Sequence, residues 1–154
     1  MKKGFTLIEM LIVVAIIAIL SSVFLVGLRG FRSSAYDARR LADLQKIQSY
    51  LEIYYTKYRC YPSSQTPGCS TGADTSVSWA DLGTALNAAG VVNNLPNDPI
   101  PGGTYSYGIS ADRQSYVLGA PLTAGHSAYN EPTTIAATTY GVSCAKDSIF
   151  CIKF

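Results

Sequence analysis

Residues Phe5 to Leu28 form an unbroken run of 24 residues with a single charge, Glu9. At 1.5 Å per residue a helix of that length reaches roughly 36 Å, enough to span a bilayer core of about 30 Å. Apolar on every side, such a helix demands lipid or a protein bundle, which argues against a free cytosolic monomer. The short basic leader Met1-Lys2-Lys3-Gly4 precedes it directly. A secretory signal has an apolar region of about 7 to 15 residues closed by a small-x-small cleavage site. Here the run continues through Leu20-Ser21-Ser22-Val23-Phe24-Leu25-Val26 with no Ala-x-Ala near its end, so the apolar segment is expected to stay in the mature protein.

Charge is unevenly placed. Residues 1 to 59 carry nine Lys and Arg against four Asp and Glu, and residues 60 to 154 carry three against six. The mildly acidic distal part argues against a dedicated nucleic-acid reader. Lys and Arg counts flanking the apolar run would place its C-terminal side inside the cell. The cysteines argue the opposite. Cys60, Cys69, Cys144 and Cys151 all lie beyond the run, an even number in a loop-rich region, which suits an oxidising compartment. Their spacings match no tight zinc pair. Of three possible connectivities, the two local bridges Cys60–Cys69 and Cys144–Cys151 are the favoured ones, each contributing roughly 2 to 3 kcal/mol if unstrained.

From 29 to 58 there is no proline, and Leu41, Leu44, Ile47 or Gln48, Leu51, Tyr54 or Tyr55, and Tyr58 recur at three- and four-residue steps. That is one helical stripe. Asp37 with Arg40, Arg39 with Asp43, and Asp43 with Lys46 fall at i+3 or i+4, so charged pairs are expected on the opposite side. One long helix is therefore predicted from about Phe5 to Tyr58. Six of the eleven tyrosines lie between Tyr36 and Tyr61 and are read as amphipathic packing at a helix-to-sheet junction.

Pro62, Pro67, Gly68 and Gly72 mark a loop, and Ser78-Trp79-Ala80-Asp81 reads as a capping box opening a short helix that ends near Gly90. After the turn-rich Asn93-Asn94-Leu95-Pro96-Asn97-Asp98-Pro99, segments 104–109 and 115–119 alternate with period two, as in an antiparallel hairpin. Residues 149 to 154 read as a terminal strand. The fold class is α+β: a long N-terminal helix, apolar in its first half and amphipathic in its second, packed on a small antiparallel sheet.

Glu9 is the chemically pointed residue. A carboxylate inside a bilayer-length helix is expensive, about 2.5 to 3.5 kcal/mol at the centre, so it invites a functional reading with a named partner. If a protease cuts after Gly4, Phe5 gains an α-amino cation one helical turn from Glu9. Two such helices staggered along their axes would set the Glu9 of one against the Phe5 amine of the next, neutralising both and fixing the register.

The sequence Lys2-Lys3-Gly4-Phe5-Thr6-Leu7-Ile8-Glu9-Met10-Leu11-Ile12-Val13-Val14-Ala15-Ile16-Ile17 resembles the N-terminal segment of class III signal-bearing prepilins, the type IV pilins and the pseudopilins of type II secretion systems. The resemblance is close over residues 1 to about 30 and weaker to 62. Beyond that, the Arg59-Cys60-Tyr61-Pro62 corner and the Leu95-to-Pro99 turn before a Tyr-rich hairpin are similar in style to small pilins and major pseudopilins. It implies cleavage between Gly4 and Phe5 by a prepilin peptidase, N-methylation of the Phe5 amine and an intersubunit Glu9 contact. It also implies the type IV pilin fold, in four parts. These are a leader at 1–4, a transmembrane and filament-core helix at 5–28, its amphipathic half at 29–58, and a globular head with disulfide loops at 59–154. Many family members carry a proline near the middle of the exposed helix. This chain has none before Pro62, and Gly27 and Gly30 are its soft points.

The implied life history is a single-pass bacterial inner-membrane precursor that becomes an extracellular pilus, or a periplasm-spanning pseudopilus. Its partners would be copies of itself, the peptidase, an assembly platform with minor pilins, and membrane lipid before assembly. The function expected is that of a structural pilus subunit; the alternatives are a secretion pseudopilin and, from another class, a membrane-anchored ligand- or DNA-binding module. Other candidate sites are weak. Asp98 and Asp112 could coordinate calcium, as in the heads of some major pseudopilins, but their spacing suits turns better. The single histidine, His126, sits among small residues without a catalytic partner. No phosphate-cradling glycine motif, nucleophile elbow or histidine pair is present, so neither cofactor nor enzymatic activity is expected.

Overall fold

A computed structural model describes residue 4 and residues 6–63, 67–69, 76–130, 138–144 and 149–154, with backbone alone at 23–29, 76 and 130. The chain divides into two compact units, residues 1–35 and 36–154. Helix α1 (Leu7–Tyr58) contributes to both.

In the first unit α1 runs without interruption through Gly27 and Gly30, as a segment lacking proline permits. Its described apolar side chains have no core to enter. From Leu7, 82% exposed, to Val13, 50% exposed, they face outward all round. Among the described residues no helix is long and apolar enough to cross a membrane. Of the predicted span 5–28, residue 5 and the side chains of 23–28 lie outside the described residues, as do Lys2 and Lys3 of the leader.

The second unit has its core where the predicted stripe falls. Leu44, Ile47, Leu51 and Tyr54 of α1 are fully buried, and each large apolar side chain so placed contributes about 1.5–3 kcal/mol. The helix ends at Tyr58, with Arg59 in left-handed conformation (φ 61°) and its amide donating to the Tyr55 carbonyl. The loop that follows is tied by the Cys60–Cys69 disulfide; its residues 64–66 and 70–75, Gly72 included, lie outside the described set.

Strand β1 (Ser76–Val77) leads to helix α2 (Trp79–Ala88), capped by Ser78, whose hydroxyl accepts the Asp81 amide at 3.1 Å. Strands β2 (Ser106–Ile109) and β3 (Tyr116–Ala120) form the predicted hairpin, with Tyr107 opposite Leu118 and Ile109 opposite Tyr116. A 3-10 turn (Ser127–Asn130), strands β4 (Thr138–Thr139) and β5 (Val142–Ser143), and the terminal strand β6 (Phe150–Lys153) complete the chain. The main sheet is antiparallel in the order β1-β2-β3-β6.

Strand alternation gives the sheet two different faces. Tyr107, Ile109, Tyr116, Leu118, Ala120 and Ile152 join the α1 stripe in the main core. Gly108, Val117, Gly119 and Cys151 face the other way, and there the β4–β5 hairpin lies on the sheet. Two bare glycines make room for it. A Cβ on Gly108 would stand 2.2 Å from the Tyr140 carbonyl oxygen, and one on Gly119 would stand 3.4 Å from Val142 Cγ1 of the hairpin and 2.8 Å from Ile149 Cγ2 just before β6. The hairpin turns through Tyr140 and Gly141, both at positive φ, as a two-residue type I′ turn requires. A second disulfide, Cys144–Cys151, fastens it to β6.

Candidate functional site

The start of α1 is built by two residues that hold each other. The Thr6 amide donates to Glu9 Oε2 at 2.8 Å, the Thr6 hydroxyl donates to the same oxygen at 2.7 Å, and the Glu9 amide donates to Thr6 Oγ1 at 3.4 Å. This is a reciprocal capping box, with Thr6 as N-cap and Glu9 at the third helical position. Glu9 also stands where the positive end of the helix dipole favours a carboxylate. The carboxylate is thus oriented along the edge of the first turn, on a helix whose other described side chains there are apolar. Sequence reasoning singled out Glu9 and overlooked Thr6, although the Thr-x-x-Glu spacing at 6–9 was its signal. Gly4 is exposed, with nothing within 4 Å of where a Cβ would sit. Phe5 lies outside the described residues.

In the second unit a charged network occupies a position that periodicity did not foretell. The predicted i+3 and i+4 pairs form, with Arg40 Nη1 at 3.2 Å from Asp37 Oδ1 and Lys46 Nζ at 3.7 Å from Asp43 Oδ1. Arg39 and Lys46 do face outward, as predicted, but their shared partner Asp43 and the whole Asp37–Arg40 pair do not. Asp37, Arg40 and Asp43 are 1%, 6% and 3% exposed. Two loops fold over them. Arg40 grips Asp98 through Nε and Nη2 at 2.8 and 2.9 Å, and Asp37 accepts the Thr123 amide at 3.1 Å. Tyr105 donates its hydroxyl to Asp43 at 3.0 Å. Burial pushes the Asp98 carboxyl upward, but the Arg40 hydrogen bonds, the Ile100 amide and the Arg40 charge outweigh it and hold the group below the usual carboxylate range. The Asp98 hydrogen bond raises the Arg40 guanidinium against its own desolvation. Burial, then Asp43, pushes the Tyr105 hydroxyl up.

The two calcium candidates are accordingly engaged elsewhere. Asp98 is committed to Arg40, and Asp112 closes the β2–β3 connection by accepting from the Ser110 hydroxyl and the Gln114 amide. Hydrogen bonding from Ser110 and Gln114 lowers the Asp112 carboxyl. Among the described residues no group of three or more His, Cys, Asp or Glu is arranged to hold a metal ion. His126 accepts the Ala128 amide at Nδ1, a turn-forming role.

Residues 1–25 match the family model described as the prokaryotic N-terminal methylation motif. The chain is 43% identical over 70 residues to the type IV wide pilus major component PilA4 of Thermus thermophilus, covering 46% of this chain and 53% of that protein. It is 27% identical over 101 residues to the type II secretion system core protein G of Escherichia coli, covering 64% and 66%. It is 30% identical over 152 residues to the fimbrial protein of Neisseria meningitidis, covering 92% and 87%. The chain thus spans about half the length of the Thermus relative and about two thirds of the Escherichia one. No solved structure matches the chain.

Proposed function

Because the chain belongs to the type IV pilin and secretion pseudopilin family, we propose that it is the structural subunit of a type IV pilus-like helical filament, polymerised through α1. The observation that carries this reading is the beginning of α1: an all-round apolar surface from Leu7 onward with one carboxylate, Glu9, set by Thr6 on its first turn. Water does not tolerate that surface, and copies of the same helix packed side by side would cover it.

The precursor crosses the bacterial inner membrane once through residues 5–28, with Lys2 and Lys3 on the cytoplasmic side. A prepilin peptidase cuts after Gly4 and methylates the Phe5 amine. Removal of the leader leaves the capping box whole, because both its residues lie beyond the cut. In the polymer Glu9 faces the Phe5 amine of a neighbour, and that ion pair sets the axial stagger. An unpaired carboxylate in such a bundle is penalised by desolvation, so only correctly staggered subunits are retained. Residues 29–58 continue the helix, and residues 59–154 form the part displayed at the filament surface.

A second reading, the pseudopilin of a type II secretion system, is favoured by the likeness to core protein G. Electron microscopy of sheared cell surfaces separates the two. Long fibres composed of this chain establish a pilus; their absence, together with a secretion defect on deletion, establishes a pseudopilus.

A further inference from the structure

Helix α2 and the loop that follows it enclose an open groove of about 460 Å³, within the roughly 300–1,000 Å³ of small-molecule sites. One face of α2, through Trp79, Gly83, Thr84 and Asn87, forms one wall, and Asn93, Asn94, Leu95 and Asn97 form the other. No lining residue is charged. Four asparagines line it, and a side-chain amide can both donate and accept. Asn87 spends its amide hydrogen on the Asn93 carbonyl at 2.8 Å, which ties the walls together. Trp79 is immobilised, its indole N–H donating to the Pro96 carbonyl at 3.3 Å and its ring set edge-on to Tyr105 at 5.2 Å. It is partly buried against the main core, and the rest of it lines the groove.

Gly83 adds an independent sign. A glycine in the middle of a ten-residue helix weakens it relative to alanine. Packing does not require it, since a Cβ there would meet Leu95 at 3.6 and 3.8 Å, ordinary contact. What the missing methyl does is deepen the groove floor.

We propose that this groove binds a neutral saccharide of one or two rings. Hydroxyl groups pair with side-chain amides that both donate and accept, the apolar face of a sugar ring lies on the fixed indole and on Leu95, and the lining offers no counter-charge to an anionic or cationic ligand.

Trp79 is the one tryptophan of the chain, so its emission reports the site directly. The experiment titrates glucose, galactose, N-acetylglucosamine, N-acetylgalactosamine and their neutral disaccharides into the full-length chain in a detergent without a sugar headgroup. A capped, uncharged tripeptide serves as a further arm. At least one saccharide is expected to change Trp79 emission saturably. Asn93→Ala combined with Asn94→Ala is expected to weaken it by roughly tenfold or more, as loss of paired amide contacts would, with an unchanged melting temperature. Gly83→Ala is expected to weaken binding while raising the melting temperature. A flat response to every saccharide, a response to the tripeptide alone, or binding that survives the double substitution would each overturn the proposal.

Discussion

Arg40 does the work of several ordinary contacts, because one guanidinium holds Asp98 bidentately and Asp37 at once in a place where neither carboxylate reaches solvent. Removing one member of a buried pair strands the other, which typically costs about 3–5 kcal/mol. Arg40→Ala is therefore expected to lower the stability of the second unit by that order in a denaturant titration; a change below about 1 kcal/mol would contradict the burial. The pH dependence has a definite sign. The Asp98 carboxyl is held below its unfolded value, so its contribution is full above about pH 4 and is lost as pH falls through the lower, folded value. Melting temperature should drop on acidification in that window, and Asp98→Asn should flatten the drop. Local spacing made the Asp37–Arg40 pair legible, whereas its burial was not, because Asp98 and Thr123 arrive from 58 and 86 residues away in the chain. Glu9 is the opposite case. Its chemical oddity stood out against the apolar run, and only the three-residue step back to Thr6 went unread.

At the level of elements, the hairpin β4–β5 depends on what two sheet residues lack. Gly108→Ala would place a methyl carbon against the Tyr140 carbonyl, and since backbone cannot yield as a flexible side chain does, a loss of roughly 1–3 kcal/mol is expected. Thermal unfolding of that variant beside Gly103→Ala, whose Cβ would press on the Asp98 carboxylate, separates hairpin displacement from loop displacement. Calcium addition or chelation is expected to leave the melting temperature unchanged, since Asp98 and Asp112 already have protein partners; an upward shift with calcium would point to the pseudopilin reading. Periodicity sufficed for α1 and the β2–β3 hairpin, the Ser78-to-Asp81 capping box for α2, and residues 149–154 already read as a strand; in each the signal is local. It did not reveal β1, β4 or β5, which are two residues each and too short to carry a period, and whose pairing is decided by the faces of a sheet assembled from distant segments.

For the whole molecule, an apolar helical segment without a core of its own is joined to a unit that carries one. Glu9→Ala is expected to leave membrane insertion and cleavage after Gly4 intact while abolishing filaments, read by immunoblot of sheared fractions against processed pool. Gly4→Glu is expected to accumulate uncleaved precursor, and the open space around Gly4 assigns that effect to the peptidase rather than to misfolding. The most direct measurement is a side-chain-resolution helical reconstruction of fibres sheared from cells that express this chain. Subunits are expected to begin at Phe5, with the Glu9 carboxylate in hydrogen-bond reach of a neighbour's terminal nitrogen. Subunits that begin at Met1, or a Glu9 with no cation from another copy beside it, would contradict this arrangement.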